Sequence, residues 1–185
     1  MKEPSPKDES YPTWVLEIVQ PGTIHEERKL MQLAIRVALA NVRENGGGPF
    51  GALIATGAGE VISVGYNMVV SSRDSTAHAE IVAIRRAETA LGTFQLRGGR
   101  FPNLKLFTTC APCVMCTGAI HWAGVSEVIA AARTEDAEAI GFVEGPRNWD
   151  APEFLRERGI VYRADFLRKE ALEIFRQYTG PIYNG

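Results

Sequence analysis

The feature that most constrains this chain of 185 residues is a change of hydrophobic period that recurs along its length. From His25 to Asn45 the spacing is helical. Leu30, Leu33, Ala34, Val37 and Ala38 form one apolar stripe, and the next position on it, Asn41, is already polar. The glycines that follow Asn45 mark a stop. "FGALIAT" and "EVISVGYNMVV" are runs rich in β-branched residues, and the "GAG" between them reads as the turn of a hairpin. "SSRDSTAHAEIVAIRRAETALG" returns to helical spacing, with Asp74 or Ser75 near its start and Gly92 at its end. A buried strand, "LKLFTTC", leads into a second helix, "PCVMCTGAIHWAG", opened by Pro112. Then come a strand "SEVIAAA", a short helix or turn "TEDAEAIGF", a strand "GIVYRADF" and a last helix "RKEALEIFRQYTG" before the tail "PIYNG". The order α-β-β-α-β-α-β-(α)-β-α predicts an α/β sandwich with a mixed sheet, parallel wherever a helix crosses over. The ends of its strands, where helices start, are where such a sheet places its ligands.

The length suits one domain. Pro4, Pro6, Pro12 and Pro21, with charges between them, predict that residues 1–24 form an arm. In that arm Trp14, Val15, Leu16 and Ile18 make one short docking segment, and the domain proper runs over residues 25–185, tail included. The net charge of −2 is no electrostatic footprint for nucleic acid, so none is expected as a partner. No apolar run approaches the roughly 18 residues of a membrane span. "MKEPSPKDESYPTW" lacks the apolar core of an export signal, so the expected location is a reducing cytoplasm, where disulfides do not account for cysteines.

All three cysteines nevertheless fall within nine residues, "TTCAPCVMC", at Cys110, Cys113 and Cys116. Core packing explains any one of them but not the clustering. An iron–sulfur run would continue to a fourth cysteine, and there is none. Zinc is the third reading. Cys113 and Cys116 are three apart and share a helix face, and "TAHAE" supplies an imidazole at His78 with a carboxylate at Glu80. The pattern H-x-E followed by P-C-x-x-C is the signature of zinc deaminases. Three protein ligands, His78, Cys113 and Cys116, hold one zinc per chain and leave a fourth position for water, which zinc acidifies to a pKa of about 7. Glu80 then takes the proton of that water and passes it on. Its bland alternative is a carboxylate solvated at a helix start. Cys110 falls outside the ligand set, and His25 and His121 lack ligand spacing, although His121 adjoins the site in sequence.

Beyond the signature, "GGPFGALI", "GYNMV", "HAEIVAIRRA", "LGTFQL", "TTCAPCVMCTGAIHWA" and "RTEDAEAIGF" resemble the cytidine deaminase superfamily from about Leu30 onward. "GTFQL" and "TEDAEAIGF" are most similar to its bacterial guanine deaminase branch. The resemblance implies a three-layer sandwich with a five-stranded mixed sheet between helices. It implies a homodimer that hydrolyses guanine at C2 to xanthine and ammonia, in purine catabolism. Its ligand would be a small purine or a related aminated heterocycle. Carried over by position, Asn67 reads the purine, Phe50 and Trp122 line the base, and the backbone at Ala79 faces it. Glu144 accepts from N1–H and the 2-amino group and serves the proton relay, and Tyr183 belongs to a tail that closes the site. Ala111 departs from the branch, which places glutamate before the zinc-site proline, and the proline-rich arm has no counterpart in it. A tRNA adenosine deaminase, a cytosine or cytidine deaminase, and a non-catalytic zinc-binding module are the competing readings. The last would be expected to lose the glutamate, and Glu80 is present.

Overall fold

The computed structural model describes residues 11–20, 22–45, 47–143, 145–146 and 149–183. Its elements are α1 (Thr13–Ile18), α2 (Glu27–Ala40), a π-helical turn (Asn41–Asn45), β1 (Gly51–Ala55), β2 (Val61–Tyr66), α3 (Val69–Ser72) and α4 (Ala79–Leu91). They continue with β3 (Lys105–Cys110), α5 (Val114–Ala123), β4 (Glu127–Ala132), α6 (Thr134–Glu138), α7 (Ala151–Glu157), β5 (Val161–Arg163) and α8 (Arg168–Gln177). The five strands form one sheet in the order β2-β1-β3-β4-β5. β1 runs antiparallel to both β2 and β3, whereas β3, β4 and β5 are parallel. This is the expected mixed sheet, and strands joined by α5 and α7 are parallel as crossovers require.

The sheet is covered on both faces, which explains why its strands are apolar runs rather than strict alternations. Successive side chains still part to opposite sides. Leu53, Phe107 and Ile129 join a core with Val15, Leu33, Val37 and Ile174 on the α1, α2 and α8 side. Ile54, Leu106 and Val128 join another with Ala83, Ile120 and Leu155 on the α4, α5 and α7 side. The packing of α4 on β2 is close. A Cβ at Gly65 would lie 2.5 Å from the Ala83 nitrogen and closer still to the Ala79 oxygen, so this position accepts only glycine.

Trp14, Val15, Leu16 and Ile18 lie in α1, where Val15 is wholly buried, and residues 1–10 and 21 of the expected arm lie outside the described residues. Ahead of α1, the Tyr11 hydroxyl accepts from the Val64 nitrogen (3.0 Å) and donates to the Val64 oxygen (3.2 Å), pairing the outer edge of β2. No described helix is long and apolar enough to cross a membrane.

Several boundaries differ from the sequence reading for local reasons. "NMVV" does not extend β2 but turns into α3. Asp74 does not start α4. Its carboxylate accepts from the Thr76 nitrogen (2.8 Å) and hydroxyl (2.7 Å), a side-chain turn that delays the helix to Ala79. Pro112 precedes α5, and Cys113 is the N-cap residue. β5 is three residues long, because Asp165 and Leu167 adopt left-handed φ values of 61°. α7, absent from the predicted order, is a seven-residue helix capped by Asp150, which accepts from the Glu153 nitrogen at 2.8 Å.

Candidate active site

Since β1 is antiparallel to both of its neighbours, β2 and β3 point the same way. Each then feeds a helix on the same face of the sheet, β2 leading to α4 and β3 to α5. The two helix starts therefore meet. His78 is the N-cap residue of α4 and Cys113 that of α5, with Cys116 one turn on. Among the described residues these three form the one group able to hold a metal ion, their donor atoms lying within 4.8 Å of one another. Cys113 Sγ and His78 Nδ1 are 3.6 Å apart. Tetrahedral zinc with bonds to sulfur and nitrogen of about 2.3 and 2.0 Å needs donors about 3.5–3.8 Å apart, so the donor types fit, and so does the Cys113–His78 separation.

Charge at the cluster follows from the same geometry. Cys113 is held down to about 4, first by the Cys116 thiol that donates to it and then by the His78 imidazole. Cys116 is pushed up by that same shared proton and by burial. A divalent cation among the three donors would bind the thiolate forms and displace their protons. Cys110, though buried, is not a member. Its thiol donates to the Arg133 oxygen at 3.4 Å. His121 is not one either, and its ring stands edge-on to Phe154 of α7, with centroids 5.9 Å apart.

Glu80, in the first turn of α4, is 6% exposed. Its Oε1 accepts from the Thr108 hydroxyl at 3.1 Å and its Oε2 from Cys116 Sγ at 3.4 Å. Burial, then the neighbouring Cys113, pushes its carboxyl above the usual carboxylate range. That is the setting of a proton carrier rather than of a solvated helix-start residue. Thr108 was not anticipated. The available signal was a hydroxyl at the end of an otherwise apolar strand, two residues before the cysteine run.

A second group gathers around the end of β2. Asn67 is completely buried. Its Oδ1 accepts from the Val69 nitrogen at 3.2 Å, whereas its Nδ2 has no hydrogen-bond partner. One residue on, the Met68 nitrogen donates to the Ala77 oxygen (2.9 Å), which ties Asn67 to the loop carrying His78. The Phe50 oxygen accepts from the Asn67 nitrogen at 3.1 Å. The Phe50 ring stands edge-on to Phe142, with centroids 5.0 Å apart, and Phe142 in turn meets Tyr183 of the tail at 5.1 Å. Tyr183 Oη lies over Gly48, and a Cβ built there would meet it and would stand 3.0 Å from Asn67 Cγ. Ala79 is fully buried at the start of α4.

Asn67, Phe50 and Tyr183 are thus brought together, and Ala79 joins the metal ligands. Trp122 is not in the aromatic cluster. It stands 79% exposed on α5 and, with Phe94, Met115 and Ile81, lines a groove of about 570 Å³. Glu144 lies outside the described residues. A further cavity of about 570 Å³ opens past Pro112, between Arg133, Trp149, Tyr162 and Asp165, and neither Asn67 nor Phe50 lines it.

Residues 24–132 match the family model of the cytidine and deoxycytidylate deaminase zinc-binding region. Guanine deaminase of Bacillus subtilis is 44% identical over 112 residues, spanning 60% of this chain and 68% of that one. The structure of guanine deaminase from Nitrosomonas europaea is 36% identical, with a TM-score of 0.85 over 91% of this chain and 93% of that one. A tRNA-specific adenosine deaminase of Buchnera aphidicola is 34% identical over 114 residues, 62% of this chain and 71% of that one.

Proposed function

The chain belongs to the cytidine and deoxycytidylate deaminase zinc-binding family and is a hydrolytic deaminase; we propose that its substrate is guanine, released as xanthine and ammonia. The observation that carries this reading is the buried, unpaired Nδ2 of Asn67. A buried donor without a partner is costly and marks a place for a ligand acceptor. Because Oδ1 is engaged by Val69, the amide presents N–H, which suits the O6 and N7 acceptors of guanine.

His78, Cys113 and Cys116 would hold the zinc. When bound, it supplies Lewis acidity that makes water a competent nucleophile near neutral pH. Glu80 takes a proton from the attacking water as the C–O bond forms at C2. The C2=N3 π pair moves onto N3 as that bond forms; Glu80 then returns the proton to the 2-amino nitrogen, and the N3 pair re-forms the double bond as the C–N bond breaks, so one water is consumed and one ammonia leaves the 2-hydroxy tautomer of xanthine. Thr108 holds the carboxylate at one oxygen while this happens. Phe50 and the backbone at Ala79 bound the base. Glu144 accepts from N1–H and the amino group, and the tail of the 25–185 domain closes the site through Tyr183.

Trp122 enters differently from Phe50. With Phe94, 87% exposed, it forms an apolar face, and the homodimer we propose covers that face. Trp122→Glu is expected to halve the mass measured by sedimentation. Equal masses for variant and parent reject the dimer through this face.

Two assays test the reading. Zinc analysis should give about one metal per chain, retained in Cys110→Ser and lost in Cys113→Ser. The reverse pattern rejects the ligand set. Ammonia release should then be measured on guanine, adenine, cytosine, cytidine and tRNA. The tRNA adenosine deaminase relative keeps a second reading in view, and turnover of tRNA with none of guanine would establish it.

A further inference from the structure

Asn41 is the one polar position on the apolar stripe of α2, and it is wholly buried. A buried amide is costly unless it is paired. This one is placed where α2 gives way to the π-helical turn, with its backbone still helical (φ −57°, ψ −42°). Its Nδ2 donates to two carbonyls from separate segments, Gly48 O at 3.1 Å and Asn67 O at 2.9 Å. One planar NH2 group thus spans the loop entering β1 and the end of β2. Its own carbonyl accepts from the Gly47 nitrogen at 3.3 Å. The packing leaves no slack, since a Cβ at Gly47 would stand 2.6 Å from Asn67 O and closer still to Asn41 Nδ2.

One of the two residues it joins, Gly48, also lies directly against the Asn67 carboxamide. Gly48 faces both Asn67 Cγ and Tyr183 Oη. From this juxtaposition we infer that Asn41 is a positioning residue for the base: by bridging Gly48 and Asn67 it sets the direction of the Asn67 N–H and the gap beside it, and so sets affinity for the base. The inference rests on the reading of Asn67 given above. Aspartate has the same shape but would present oxygen to two carbonyl oxygens, turning two attractions into repulsions. Serine keeps one donor at shorter reach.

The test compares Asn41→Asp, Asn41→Ser and Asn67→Ala, all zinc-loaded, by steady-state kinetics on guanine. Equilibrium dialysis of guanine in a Glu80→Gln background adds a binding readout independent of turnover. Asn41→Asp should raise KM and the dissociation constant by about tenfold or more, the scale of losing hydrogen bonds that position a ligand group. Its kcat should fall less than KM rises, and Asn41→Ser should lie between. If Asn41→Asp does not fold, Asn41→Ser carries the comparison alone. A lowered melting temperature with unchanged KM and dissociation constant in the folded Asn41 variants, while Asn67→Ala raises both, overturns the role of Asn41 and leaves the guanine reading standing. Unchanged binding in Asn67→Ala overturns the base-reading role itself, and this inference with it.

Discussion

Glu80→Gln is expected to lower kcat on guanine by about 10⁴-fold, the upper end of what proton transfer by a side chain contributes. In the proposed reaction one carboxylate serves both halves, taking the proton from water and delivering it to the leaving amine. The amide is isosteric, and Thr108 can still donate to its oxygen, so fold and zinc content should be unchanged. KM should change far less than kcat, because the loss is felt in the transition state rather than in ground-state binding. Steady-state kinetics with zinc analysis on the same preparation decides the matter. A zinc-loaded Glu80→Gln protein that retains near-normal kcat would show that another group carries the proton.

Discrimination between guanine and adenine should be of similar size, about 10⁴-fold in kcat/KM, the scale at which a site rejects an analogue that leaves its polar groups unpaired. Adenine has no N1–H, so its N1 lone pair would face the Glu144 carboxylate, and its 6-amino group would meet the donor of Asn67 where guanine offers O6. Glu144→Gln keeps the size and removes the charge, so it should cut turnover of guanine severely. Rings that set an amino group beside a protonated nitrogen, such as aminated triazines, should remain substrates. Parallel assays of both proteins on guanine and adenine provide the check. A preference for adenine or cytidine in the parent enzyme rejects the guanine reading. Equal activity of Glu144→Gln on guanine returns that residue to an ordinary loop carboxylate.

The sequence by itself determined the parts whose signal is local. Period changes along the chain marked the strands and the longer helices, because side-chain direction repeats every two residues in a strand and every 3.6 in a helix. The spacing of Cys113 and Cys116 placed two donors on one helical turn, and the motif joined His78 and Glu80 to them before any tertiary contact was known. α7 leaves no such signal, because seven residues hold too few turns to establish a period. The start of α4 is not legible locally, because Asp74 turns back on Thr76 instead of capping the helix. What only the tertiary structure decided are the contacts between segments far apart in the chain. The pairing of Thr108 with Glu80 spans 28 residues and that of Asn41 with Asn67 spans 26. Both depend on the strand order β2-β1-β3, which sets which strand ends and helix starts become neighbours. The placing of Trp122 on an exposed face, away from the aromatic cluster of Phe50, has the same origin. A residue's type and spacing record which face of its own element it occupies, whereas the partner across that face is set by how the sheet closes.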